Sequence, residues 1–243
     1  MSTGGQTGGG AQANSSTVAL FQEQWSVYRK VVDNNLLFHR EAYGRLRRFL
    51  EEEVKRPFRF LDIACGDATC SAQALLGTQV RHYRGIDFSA PALALAAETL
   101  DELGCEAILE QSDILDGLAD RSNLADVAWI GLSLHHFPTS QKRVFMHTIR
   151  RALPADGMLL IYENLSREGE PRSSWLNRWD AQFSSWTALS PAEWRAITAH
   201  VHAADFPEPD STWRMLGYDA GFPKARRLYV CPTALFGLYC FSA

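Results

Sequence analysis

At 243 residues, 46% hydrophobic and 21% charged, the chain can bury the core of one α/β domain with insertions, and global disorder is excluded. A formal net charge of −4, with no block of basic residues, argues against nucleic acid as a partner, because neutralising phosphates needs a basic face. The five cysteines show no metal-ligand or disulfide-framework spacing, no signal peptide is evident, and no run approaches the ~18 apolar residues that span a bilayer. The expectation is a reduced, cytoplasmic protein with no membrane partner.

Residues 1–17, MSTGGQTGGGAQANSST, carry no charged side chain and read as a flexible, disordered tail. From Val18 to about Val54 the apolar positions Phe21, Trp25, Tyr28, Val32, Leu36, Tyr43, Leu46 and Leu50 follow a helical period. Two helices are expected, bent near Asp33-Asn34-Asn35, whose side chains compete with helical backbone bonding. After Pro57 strands and helices alternate. The expected elements are strand Phe58–Ile63, helix Thr69–Leu76, a strand ending at Asp87 and helix Pro91–Leu103. A strand ending at Asp113, strand Asp126–Ser133, helix Thr139–Leu153 and a strand through Asn164 follow. Such repetition implies a mostly parallel sheet with helices on both faces.

The rhythm breaks over residues 164–213, a helical, tryptophan-rich insertion. Trp175, Trp179, Phe183 and Trp186 share one helical face, which reads either as core or as a lid lining a pocket. His200 and His202 have no assignable role. A helix over Ser211–Ala220 and a terminal hairpin turning at Pro232–Thr233 complete a domain spanning 57–243.

In an open α/β sheet, ligands bind beyond the carboxyl ends of the strands. Here those ends carry Asp62 to Asp67, Asp87, Asp113, Ser133 to His136, and Glu163 with Asn164. Any one acid alone reads as a turn or cap carboxylate; the ordered set reads as a cofactor site. Gly66, between small Ala64 and Ala68, lets backbone N–H groups approach a ligand. Asp87 stands at the distance from Gly66 at which a carboxylate accepts two ribose hydroxyls. Phe88 is placed to cover a purine, Asp113 to accept from an exocyclic amine, and Ile114 to offer its N–H to the ring. A dinucleotide loop wants G-x-G-x-x-G, whereas this loop holds acidic Asp67, with Asp62 at the same turn. Carboxylates there repel pyrophosphate and suit a cationic adenosine compound.

LDIACGDA, GIDFS, EQSDI and DVAWIGLSLHHF, in this order, resemble the successive motifs of class I S-adenosylmethionine-dependent methyltransferases. The likeness covers about residues 45–163, and the terminal hairpin matches that family's reversed last strand. It implies a Rossmann-like, seven-stranded, mostly parallel α/β sheet with an antiparallel last strand and a helical cap. It also implies S-adenosyl-L-methionine as cofactor, with Asp62, Ala64 and Gly66 around the methionine moiety. Asp87 would hold the ribose, Asp113 and Ile114 the adenine, and Gly131 and Leu132 would pass the sulfonium. The helices within 18–56 would cover the active site and bring Tyr28, Arg29, His39 and Arg40 as candidates to reach cofactor or acceptor, although the same residues also read as surface charges and a core aromatic. Ala64-x-Gly66-x-Ala68 departs from the family's Gly-x-Gly-x-Gly.

Methyl transfer needs an aligned acceptor and, for many acceptors, a base. His135 and His136 stand where a base is useful, with Tyr162 and Glu163 as further orienting candidates. No metal site is expected, because adjacent histidines rarely share an ion and no third ligand is evident. The reading is transfer to an oxygen or nitrogen of a small-molecule acceptor. The rivals are a nucleotide-binding oxidoreductase and a non-catalytic relative, and the sequence leaves the oligomeric state unknown.

Overall fold

The computed structural model describes residues 26–119 and 121–243; the expected tail over 1–17, and Phe21 and Trp25 of the first expected helix, lie outside the described residues. Residues 26–33 are helical (α1), a turn covers 34–38, and α2 runs over His39–Glu53. The chain then alternates through β1 (Phe58–Ile63), α3 (Thr69–Leu75), β2 (Val80–Asp87), α4 (Ala90–Leu100), β3 (Glu106–Gln111), β4 (Val127–Gly131), α5 (Thr139–Ala152) and β5 (Met158–Ser166). The insertion contributes α6 (Arg172–Asp180), α7 (Pro191–Ala204) and the two-residue β6 (Glu208–Pro209). Helix α8 (Asp210–Asp219) and the hairpin β7 (Lys224–Val230) and β8 (Phe236–Ser242) follow.

The sheet runs β3-β2-β1-β4-β5-β8-β7, with β6 paired beside β5. Strands β3 to β5 pair in parallel, and β8 is antiparallel to both of its neighbours. The chain is therefore a Rossmann-like, mostly parallel α/β sheet with a reversed last strand. Strand order reverses between β1 and β4, and a crevice opens at such a switch point.

The central strands β1, β4 and β5 are buried on both faces, as a sheet covered on both sides requires. Phe58 and Phe60 of β1, Val127 and Trp129 of β4, and Leu160 and Tyr162 of β5 pack on one side with α2, α3 and the tryptophans of the insertion. Their neighbours Leu61, Ile63, Ala128, Ile130, Leu159 and Ile161 pack on the other side with α5 and α8. Period-two alternation thus divides each strand between two cores. Helix starts follow local chemistry: Ser89 accepts from the Ala92 N–H at 3.3 Å to open α4, and Ser190 with Glu193 forms a reciprocal capping box before Pro191 on α7.

Candidate functional site

A cavity of about 520 Å³ lies at the carboxyl ends of the central strands, within the usual range for ligand pockets. The β1–α3 turn places Ala64, Cys65 and Gly66 on its wall. Ala64, Gly66 and Ala68 all adopt left-handed φ, at 55°, 55° and 56°. This conformation strains an alanine but not a glycine. A Cβ on Gly66 would meet nothing within 4 Å, so the backbone there presents open space to a ligand.

Asp87, at the end of β2, braces this turn. Its Oδ2 accepts the Gly66 N–H at 2.9 Å and its Oδ1 accepts the Ser89 N–H at 2.8 Å. Each carboxylate oxygen keeps a further lone pair, and Asp87 lines the cavity. Phe88 projects beside it, 78% exposed. Asp113 and Ile114 follow on the same wall, with Asp113 Oδ1 accepting from the Leu115 N–H at 2.9 Å. Gly131, the last residue of β4, and Leu132 after it also line the cavity. Tyr28 of α1 and His39 and Tyr43 of α2 close the N-terminal side, where His39 stacks on Tyr43 with ring centroids 6.2 Å apart. His39 is 5% exposed, and burial holds its imidazole down at about 4, so it stands neutral.

Five expected site residues, Asp62, Asp67, Arg29, Arg40 and Glu163, do not line this cavity. Asp62 is 2% exposed, behind the turn, and accepts the Tyr83 phenol at 2.6 Å. Period-two geometry turns it to the same face as Phe58 and Phe60, into protein rather than into the cleft. Burial raises its carboxyl to about 7, which removes much of the negative charge the sequence promised there. Asp67 faces a side annex of about 40 Å³ and pairs with Arg29 at 3.4 Å. Arg40 bonds back to the α1–α2 turn, through its N–H to Asn35 Oδ1 at 2.9 Å, and does not line the cavity. Glu163 is fully buried: Oε1 accepts the Ser133 and Leu134 N–H groups at 2.6 and 2.5 Å, and Oε2 meets His135 Nδ1 at 2.9 Å. It has no access to an acceptor and is a positioning residue.

The opposite end of the cavity is built from two distant segments. The short turn Leu134–His136 carries both histidines to the wall. Across from it, α7 and the segment behind it bring Ile197, His200, Val201 and Asp205. The Phe206 N–H donates to the His135 carbonyl at 2.7 Å, and the buried Lys142 Nζ bonds both the Phe206 carbonyl and Glu208 Oε1, locking the segments together. Burial lowers the basicity of His135, but the charge and hydrogen bond of Glu163 outweigh it, and the imidazole ends above its ordinary value. The same pairing, against burial, holds Glu163 below the usual carboxylate range. His136 is pushed down to about 4 by burial and by its neighbours His135 and His200.

Asp205 was missed by sequence reasoning. It is 3% exposed, its Oδ2 accepts from Asn164 Nδ2 at 2.8 Å, and its Oδ1 lies 3.9 Å from His135 Nε2 and 3.7 Å from His136 Nδ1. A carboxylate that the spacing of the histidines did not reveal therefore stands beside both, carried by another element. The aromatic stripe divides: Trp175 and Trp186 are core, Phe183 is 51% exposed, and Trp179 is both core and cavity wall. Trp179 stacks on Trp175 and Trp194, each at 6.1 Å between centroids.

Residues 60–157 match the model of a methyltransferase domain. A curated relative from Aspergillus luteorubrus, "Probable methyltransferase ltbC", is 29% identical over 143 residues, which is 56% of this chain and 50% of the relative. The chain thus spans about half the length of the curated relative it matches. Among solved structures, a possible exported protein from Bordetella parapertussis superposes with a TM-score of 0.63 at 18% identity, over 84% of this chain and 67% of that one. The S-adenosylmethionine-dependent methyltransferase SibL does so at 0.59 and 16%, over 84% and 55%. At such identities the superpositions establish the fold. Residues 60–157 are thus similar to a methyltransferase domain, and the superpositions give that stretch the Rossmann-like fold of such domains.

Proposed function

We propose that the protein binds S-adenosylmethionine across the Gly66–Asp87–Asp113 wall and transfers its methyl group to an oxygen or nitrogen of a small molecule held against the histidines. One observation carries this reading. A single cavity joins the adenosine-type wall to His135 and His136, and its described lining includes Asp87, Asp113 and Asp205 but no lysine or arginine. A pyrophosphate would enter it without a cationic partner, whereas a sulfonium would meet carboxylates. That also disfavours the oxidoreductase reading.

The residues present fit the cofactor. Asp87 keeps acceptor capacity for ribose hydroxyls after bracing the turn, Gly66 leaves room for close approach, and Phe88 offers an exposed ring beside the adenine wall. The bound donor supplies a methyl group on a positive sulfur, already activated for in-line displacement. The chain's part is alignment and proton removal. Glu163 fixes the His135 tautomer by taking Nδ1–H, which leaves the Nε2 lone pair for the acceptor's proton. Trp179, Ile197 and Val201 supply apolar wall around the acceptor and exclude water. The five cysteines, all free thiols, support a cytoplasmic setting.

The test is incubation of metabolite extracts with methyl-labelled donor and mass spectrometry of products. Label in an oxygen- or nitrogen-methylated small molecule, absent with His135→Ala, is the expected result. Label confined to protein or nucleic acid would overturn the acceptor class.

A further inference from the structure

We infer that His135 Nε2, His136 Nδ1 and Asp205 Oδ1 form a binding site for one borderline divalent transition cation of the zinc type. Among the described residues these three side chains form the one group of histidine, cysteine or acid able to hold such an ion, with one ligand atom from each within 4.8 Å of the others.

Two observations point to it. Asp205 Oδ1 is buried and has no hydrogen-bond partner among the described residues. A buried carboxylate oxygen left so is costly unless something positive meets it. The two ring nitrogens facing it lie at 3.7 and 3.9 Å, too far for a hydrogen bond. A cation bonded at about 2.0–2.2 Å to nitrogen and oxygen spaces its ligands by about 3.0–3.6 Å, so the two histidine–carboxylate gaps need to contract by a few tenths of an ångström, and the two imidazole nitrogens, within 4.8 Å of each other, by up to about 1.5 Å.

Two of the three ligands are also oriented from behind. His135 presents Nε2 because Glu163 holds its Nδ1 at 2.9 Å, and Asp205 presents Oδ1 because Asn164 holds its Oδ2 at 2.8 Å. Carboxylate and amide partners of this kind commonly fix the tautomer and direction of metal ligands. Two imidazoles and one carboxylate suit zinc or its first-row neighbours better than magnesium or calcium, which prefer oxygen alone. Three protein ligands leave coordination positions open, and the ligand residues line the large cavity.

Metal binding is measured without any methyl donor and stands apart from methyl transfer. The two share one atom: a cation on Nε2 of His135 takes the lone pair that would serve as base. Turnover assays therefore use chelator-treated protein.

The experiment is titration of untagged, chelator-treated protein with cobalt(II), read by its visible absorption, and with zinc(II) by calorimetry. One ion per chain is expected. Asp205→Asn and His136→Ala should each weaken it at least tenfold, and Glu163→Gln by about 10–100-fold through the orientation of His135. His136 has a side chain 40% exposed, so its substitution tests the site even where Asp205→Asn disturbs folding. Asp87→Ala should keep the cobalt spectrum while losing S-adenosylhomocysteine, which separates the two sites. Absence of a stoichiometric cobalt spectrum, or affinity unchanged in both ligand variants, would overturn the inference.

Discussion

The two ends of the cavity are made differently. The end proposed for adenosine is built from consecutive strand-to-helix turns, where the Gly66 turn and the carboxylates of Asp87 and Asp113 face the cavity. The acceptor end is built from side chains that meet across the fold: His135 and His136 from the turn after β4, Asp205 from beyond α7 and Trp179 from α6. A site assembled locally tolerates change in the insertion, whereas a site assembled at long range depends on it. Substitutions should therefore sort by end.

The largest expected effect falls on turnover. In chelator-treated protein, His135→Ala should lower the rate by about 10²–10⁴-fold, the usual contribution of a positioned base, with affinity for S-adenosylhomocysteine changed less than about threefold. Steady-state kinetics beside calorimetry checks this; parallel losses in both would join the two ends that the account separates. Next comes stability of the roof. Trp179→Ala removes a stacked, buried ring and should cost about 3–5 kcal/mol in denaturant unfolding, as large core truncations do. A cost below about 1 kcal/mol would mean the insertion packs loosely on the domain.

A smaller effect depends on pH. Asp62 has a carboxyl raised to about 7 in the fold, while the unfolded chain releases that proton near ~3.9. The folded state thus binds more protons between these values, and stability falls as pH rises through that window. The slope is at most about 1.4 kcal/mol per pH unit. Asp62→Asn should flatten the wild-type decline between about pH 4 and 7; equal slopes would place an ionised Asp62 in the native state. The smallest effect concerns the turn. Ala64→Gly should change stability by less than about 1 kcal/mol, because relief of left-handed strain and the added freedom of the unfolded chain offset each other. A thermal melt checks this, and a loss above about 2 kcal/mol would show that the methyl group of Ala64 packs.

Legibility in the sequence follows the same division. The strands from β1 to β5 were readable because each is a short apolar run closed by a polar residue, and Asp87, Asp113 and Gly66 sit at those closures. Asp62 was misplaced because a strand-end acid reads alike whichever face it turns to; only register against Phe58 and Phe60 tells that it points inward. Glu163 failed similarly: its position beside the site was legible, but its burial under the Ser133 and Leu134 amides was not. Asp205 gave no local signal at all. It follows an amphipathic helix and looks like any turn acid, and only the packing of Phe206 on the His135 carbonyl brings it to the histidines.

We propose that the acidic cavity, whose described lining holds no lysine or arginine, takes a sulfonium-type adenosine compound through Asp87. Calorimetric titration with S-adenosylmethionine, S-adenosylhomocysteine and NAD(P) tests it most directly. The account predicts one site per chain for the two sulfur compounds, none for the dinucleotides, and at least a hundredfold loss with Asp87→Ala. Dinucleotide binding at the same site, or full affinity without the Asp87 carboxylate, would contradict it.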